Sequence, residues 1–226
     1  MDMRGIEILR EDADIIVICK PAGLAVQAAG VGQPDVVSEL KKYLHSSYLG
    51  IVHRLDQPVE GVLVFGKTKQ AAARLTAALG NGTLNKRYYA VVCGKPAKER
   101  DRLVDELVKE ENVARIVGKA GDKSKQAILE YSILKTAEFE GASVALADIR
   151  IETGRFHQIR VQMAHAGLPL LGDVKYGTNE SMELSRKLHV GCVALCAYRL
   201  EMVHPVSGKK LTFEVQPKGD IFQQFL

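Results

Sequence analysis

At 226 residues, with 46% hydrophobic and 26% charged side chains, the chain has an ordinary globular composition and enough length to bury a core. Its longest apolar runs, such as Ile15 to Cys19, are far too short to cross a bilayer, and the opening Met1-Asp2-Met3-Arg4-Gly5 lacks the apolar stretch of a signal peptide, so the cytoplasm is the expected compartment. A net charge of +4 permits a polyanionic partner without requiring one, and the absence of tryptophan argues against a surface of many base-stacking rings.

In chain order, Asp14 to Pro21 reads as a buried strand followed by a second extended piece at Leu24 to Gln27. Val36 to Tyr48 has helical spacing, with Val37, Leu40, Lys41 and Leu44 on one stripe. Val59 to Lys67 is a strand, and Lys69 to Leu79 is an alanine-rich helix stopped by Gly80-Asn81-Gly82. Lys86 to Gly94 is a strand. Lys98 to Lys125 carries mixed charge and fits either a hairpin around Glu111-Asn112 or a solvated helix. Ala127 to Thr136 and Ser143 to Glu152 are strands joined at Gly141, and Arg155 to Ala166 is a helix opened by Thr153-Gly154. A short helix at Glu180 to Leu188 precedes a final strand pair, Cys192 to Val203 and Lys209 to Gln216. Strands separated by hairpins and occasional helices predict an α+β fold, a mainly antiparallel mixed sheet flanked by helices, with residues 1–226 as one domain.

The four cysteines, Cys19, Cys93, Cys192 and Cys196, form no Cys-x-x-Cys, and no histidine pair has zinc-motif spacing. Free thiols and no metal site are expected.

Residues 51–61, Ile-Val-His-Arg-Leu-Asp-Gln-Pro-Val-Glu-Gly, carry the sharpest chemical signal. In extended chain His53 and Leu55 face one way, Arg54 and Asp56 the other. Gln57-Pro58 breaks the strand, and Gly61 permits a close approach of another backbone. A carboxylate at a strand end beside a turn suits an active site.

A second constellation lies at 153–164. On a helical wheel Phe156, Ile159, Arg160 and Met163 share the stripe expected to face the core. A guanidinium cannot be neutralised, so a buried Arg160 needs an anionic partner, and Asp56 is the carboxylate with the least obvious surface role. Spacing alone leaves open an inert ion pair, or an Arg160 that extends to solvent. Arg155 and His157 sit where the N–H groups of a helix start favour an anion, either as phosphate contacts or as plain exposed polar residues. On the strand Lys86-Arg87-Tyr88-Tyr89-Ala90 the two tyrosines face opposite ways, so one can meet a base while the other packs. Gly172-Asp173-Val174-Lys175-Tyr176-Gly177 reads as a structural loop, since no Gly-Lys-Ser/Thr follows.

Taken in order, these segments resemble the RluA family of RNA pseudouridine synthases. The resemblance rests on His53-Arg54-Leu55-Asp56 with Gly61, on Lys86-x-Tyr88-x-Ala90 with Gly94, and on Thr153-Gly154-Arg155-Phe156-His157-Gln158-Ile159-Arg160. It continues through Gly167-x-Pro169, Gly172-Asp173-x-x-Tyr176-Gly177 and His204-Pro205, and at the opening through Lys20-Pro21-Ala22-Gly23. It implies a pseudouridine-synthase catalytic domain in which Asp56 is the essential carboxylate, Tyr88 stacks on the target uracil and Arg160 pairs with Asp56. Arg54 would help displace the nucleotide from the RNA stack, with Arg155 and His157 as further RNA contacts. The implied partner is ribosomal or transfer RNA, acted on by a monomer with no obligate protein partner. No cofactor or metal is implied, because the isomerisation neither gains nor loses atoms.

The chain departs from the pattern at Val59-Glu60, where the family usually has Thr-Ser, at Phe156, usually Thr or Ser, and at Gln162 and Cys196, each usually His. No separate N-terminal RNA-binding domain is expected. Two other readings remain at this level: a non-catalytic RNA-binding protein on the same fold, and a hydrolase using Asp56 with Glu60 as its only nearby second carboxylate.

Overall fold

The apolar run beginning at Ile15 forms β2 (Ile15–Lys20), and β4 (Glu60–Gly66) lies antiparallel to it; every residue of both strands is buried. Strands covered on both faces lose the alternation of inside and outside, which is why these two read as nearly continuous hydrophobic runs. The computed structural model describes residues 3–28, 30 and 32–226; Met1, Asp2, Ala29 and Val31 lie outside the described residues. The fold is α+β and mainly antiparallel, and its internal contacts divide it into two compact units, Met1–Lys86 with Ala197–Pro217 and Arg87–Cys196 with Lys218–Leu226.

In the first unit the strand order is β1 (Glu7–Glu11), β2, β4, β10 (Leu195–Val203), with β3 (Gly50–Ile51) on β4 and β11 (Lys210–Glu214) on β10. Helix α1 (Val36–Tyr43) is capped by the Asp35 carboxylate on Ser38 N, and α2 (Lys69–Gly80) by the Thr68 hydroxyl on Ala71 N. Ala71 and Leu75 of α2 join Ile15, Val17, Val62 and Val64 in one apolar cluster. The glycine expected to permit a close approach does so: Gly61 has φ 126°, and a Cβ there would lie 2.3 Å from the Ala197 carbonyl oxygen.

Three details differ from the sequence reading. β1 was not expected, because its residues are mostly exposed and polar, as an edge strand allows. Leu24 to Gln27 forms only an isolated bridge, Ala25 to Asp35. Helix α1 stops at Tyr43 instead of Tyr48: His45 turns left-handed at φ 48°, and the His45 and Ser46 N–H groups bond back to the Lys42 and Lys41 carbonyls, closing the helix in a Schellman turn.

In the second unit the order is β5 (Asn85–Cys93), β9 (Ala142–Ile151), β8 (Lys125–Phe139), β6 (Arg100–Glu110), β7 (Val113–Val117), each pair antiparallel. The mixed-charge stretch is the hairpin β6–β7, turning at Glu111-Asn112; its charge pattern fits a solvated helix as well, but its burial alternates as a strand's does. The β8–β9 turn places both Glu140 and Gly141 at positive φ, the backbone a two-residue hairpin needs. Helix α3 (Gln158–His165) packs Val161 on Leu107, Ala114 and Ala127 of this sheet, and α4 (Asn179–Lys187) is capped by Thr178. A short helix α5 (Asp220–Gln223), not read from the sequence, ends the unit.

Candidate active site

Beyond β3 the chain runs extended without a partner strand, and burial alternates as the sequence implies: His53 and Leu55 are buried, Arg54 is exposed and Asp56 half-buried. What holds Asp56 in place is the segment just after it. The ammonium of Lys20, with 0% of the residue exposed, donates to the carbonyls of Pro21 (2.8 Å), Leu24 (2.7 Å) and Gln57 (3.1 Å). Gly23 N donates to the Gln57 carbonyl at 2.9 Å, and the Gln57 side-chain amide returns a bond to the Gly23 carbonyl at 3.0 Å. Val59 N closes the turn on the Asp56 carbonyl. Asp56 therefore sits on a loop tied to the end of β2 by a buried cation. Arg54 is directed elsewhere, donating to the Gln27 amide oxygen at 3.0 Å.

Two buried groups beside this loop are held away from their usual charge states. His53 Nε2 accepts the Val64 N–H at 3.3 Å, so its proton lies on Nδ1, which has no hydrogen-bond partner among the described residues. Burial, and then the charge of Lys86, hold His53 well below its ordinary pKa and keep it neutral. Lys86, at the start of β5, is only 8% exposed, and burial lowers its pKa from the ordinary 10.5 to about 8. Glu60, one of the departures from the family pattern, is buried at the head of β4.

In the second unit the structure places Arg160 on the buried face of α3, as the wheel requires. The carboxylate it meets there is Asp173: Nε to Oδ2 and Nη2 to Oδ1, both 2.7 Å, with 4% and 0% of the two side chains exposed. Asp173 also accepts the N–H groups of Lys175 (3.0 Å) and Tyr176 (3.3 Å), so the Gly172–Gly177 loop wraps around this ion pair. Tyr176 links the pair to the start of α3. Its ring lies 5.2 Å from the Arg160 guanidinium carbon; its hydroxyl accepts the Ala114 N–H at 2.7 Å and bonds His157 Nδ1 at 2.7 Å. Asp173 and Tyr176 were missed as site residues; the signal was the glycine-bracketed acid and tyrosine, read only as a loop.

The helix begins three residues later than the sequence suggests. The Gln158 side chain accepts from Arg155 N and the Thr153 hydroxyl and donates to the Ile128 carbonyl, pinning 153–155 against β8 instead of letting them coil. Arg155 is exposed and donates to the Gln126 carbonyl, and His157 takes the N-cap position left-handed at φ 53°. Phe156, expected in the core stripe, lies before the helix and is 37% exposed. Gln162, also on α3, is buried and donates to Asp105 and the Ala127 carbonyl. Tyr88 is buried and Tyr89 half-buried on opposite sides of β5.

Among the described residues one group has its ligand atoms near enough for a metal, Asp12, Asp14 and His204. His204 Nδ1 accepts the Val206 and Ser207 N–H groups, which leaves the proton on Nε2 facing Asp12, and Asp12 Oδ1 accepts the Asp14 and Ile15 N–H groups. The His204 and Asp12 atoms are used in closing loops, and none of the four cysteines is in a disulfide.

The family described as RNA pseudouridylate synthase matches residues 14–165. The ribosomal large subunit pseudouridine synthase D of Zymomonas mobilis is 32% identical over 229 residues, covering 96% of this chain and 70% of that protein. The tRNA pseudouridine synthase C of Salmonella typhi is 29% identical, covering 92% and 84%. Among solved structures, human RNA pseudouridylate synthase domain containing 1 superimposes with a TM-score of 0.79 at 19% identity, over 96% of this chain and 85% of that one, which shows the shared fold.

Removing Asp173 breaks the bidentate contact that fixes the buried Arg160. Asp173→Asn is expected to lower the unfolding free energy by about 3–5 kcal/mol in urea denaturation; a loss under about 1 kcal/mol would show that Arg160 finds its compensation elsewhere. Lys86 behaves oppositely. Between pH 8 and 10.5 the unfolded chain holds a proton that the folded chain has released, so stability rises with pH across that window, and below pH 8 the full cost of burying the charge remains. Lys86→Met should thus be more stable than wild type at pH 7, with the advantage shrinking as the pH approaches 10.5; an advantage independent of pH would contradict the buried charge.

Proposed function

Since the chain belongs to the RNA pseudouridylate synthase family, with the motifs of its RluA branch, and is an isomerase that converts uridine to pseudouridine, we propose that it acts on a uridine of ribosomal or transfer RNA with Asp56 as the essential carboxylate. The reaction breaks the bond from ribose carbon 1′ to uracil N1, turns the base and rejoins it through carbon 5; the proton leaves carbon 5 and N1 gains one. Whether the carboxylate attacks carbon 1′ or removes the proton at ribose carbon 2′, it must be ionised and held still. The observation that carries this reading is the cross-braced loop after Asp56, in which Lys20 and Gly23 hold Gln57.

In this reading residues 1–226 make up a pseudouridine-synthase catalytic domain. Arg160, aligned by Asp173, pairs with Asp56, and Tyr88 gives the uracil a face to turn against. A target base stacked in RNA is out of reach, so the nucleotide is flipped out, with Arg54 helping to displace it. Arg155 and His157 contact the RNA backbone, which supplies affinity and little sequence information. The enzyme acts in the cytoplasm as a monomer with RNA as its only required partner; no helix among the described residues is long and apolar enough to cross a membrane. A non-catalytic RNA binder would have little use for a carboxylate braced in this way.

The test is tritium release from RNA labelled at uracil carbon 5. Wild type should release it, and Asp56→Asn should be slower by about 10³-fold or more while still folding. Release unaffected by the substitution would remove Asp56 from the mechanism.

A further inference from the structure

Phe156 is an exposed aromatic ring with a built underside. Its ring stacks on the His157 imidazole, centroids 3.8 Å apart and planes 21° from parallel. The imidazole is itself fixed, edge-on to Tyr176 at 5.6 Å and hydrogen-bonded to its hydroxyl. His157, left-handed at φ 53°, is buried, and Phe156 lies over it exposed at the start of α3 instead of in the core, where a helical wheel would put it. A ring has two faces, and with His157 on one, the Lys109 ammonium, 4.8 Å from the centroid, lies over the other. Lys109 comes from β6, so the hairpin and the helix start together frame a flat apolar surface capped by a movable cation.

We infer that Phe156 is a stacking shelf for an unpaired RNA base, which replaces the Lys109 ammonium on the open face of the ring while the ammonium moves to a neighbouring phosphate. The exchange trades a cation–π contact for a base–aromatic stack plus an ion pair, so the shelf stays covered whether or not RNA is bound. The chemistry selects a single-stranded nucleotide: a base within a duplex has no free face, and an acidic peptide would meet the cation but not the ring. The shelf lies in the second unit and uses neither Asp56, Tyr88 nor Arg160, so the base it takes is not the target uridine. The inference rests on the reading that this enzyme acts on RNA, and adds a recognition site to it.

The probe is a short single-stranded oligouridylate carrying one 2-aminopurine, whose fluorescence is quenched by stacking. Wild type should bind and quench it; Phe156→Ala should bind about 5- to 150-fold more weakly and lose the quench, and Phe156→Trp should restore both. Lys109→Gln should reduce the slope of log affinity against log salt by about one. Equal binding and quenching by Phe156→Ala, or a loss of thermal stability with binding intact, would overturn the inference, as would a failure of wild type to bind the probe or a salt slope unaffected at Lys109. Pseudouridine formation in total cellular RNA, measured alongside, separates the two readings. A wild-type enzyme that makes none but quenches through Phe156 defeats the proposed function and leaves the shelf standing.

Discussion

The ammonium of Lys20 is the contact on which the proposed chemistry depends most directly. It is fully buried, and the bonds that hold it run to three backbone carbonyls, those of Pro21, Leu24 and Gln57. Backbone acceptors fix a lysine more rigidly than one flexible carboxylate does, and they convert the end of β2 into an anchor for the loop that carries Asp56. A catalytic carboxylate must be held to a fraction of an ångström, and a loop achieves this only when packed and hydrogen-bonded from behind. Gly23 and the Gln57 side chain complete that support. Gly61 then lets β4 leave the loop against the Ala197 backbone, where any side chain would collide.

The second unit solves a related problem differently. Arg160 is held by a bidentate contact with a fully buried Asp173, whose Oδ1 also accepts two backbone N–H groups. Such a pair contributes little net stability compared with apolar residues of the same shape, but its geometry is narrow, and that suits an arginine meant to orient something. Lys86 and His53 make the same point from the side of cost. One is a buried cation with a depressed pKa, the other a neutral imidazole with an unsatisfied nitrogen. A fold selected for stability alone would contain neither.

Much of this was legible in the sequence, for reasons that can be named. β2, β4, α2, β5 and the β8–β9 hairpin follow from apolar runs, an alanine-rich helix and glycine turns, where local preference and burial agree. The alternation at 53–56 predicted that His53 and Leu55 share one face and Arg54 and Asp56 the other, and the wheel placed Arg160 on a buried face. What the sequence could not disclose depends on contacts distant along the chain. Asp173 is an ordinary loop acid until Arg160 meets it, and Lys20 is an ordinary strand-end lysine until the Gln57 carbonyl arrives 37 residues later. Phe156 fell on the helical stripe because the wheel assumes the helix has begun; the Gln158 side chain delays that start and turns the ring outward.

The central claim is that the braced Asp56 converts uridine to pseudouridine at a defined position in cellular RNA. Its most direct test is a map of pseudouridines in ribosomal and transfer RNA from a strain lacking the gene, compared with its parent. The account predicts that one or a few positions revert to uridine, and that they are restored by the wild-type gene but not by Asp56→Asn. An unchanged map, or restoration by Asp56→Asn, would contradict it.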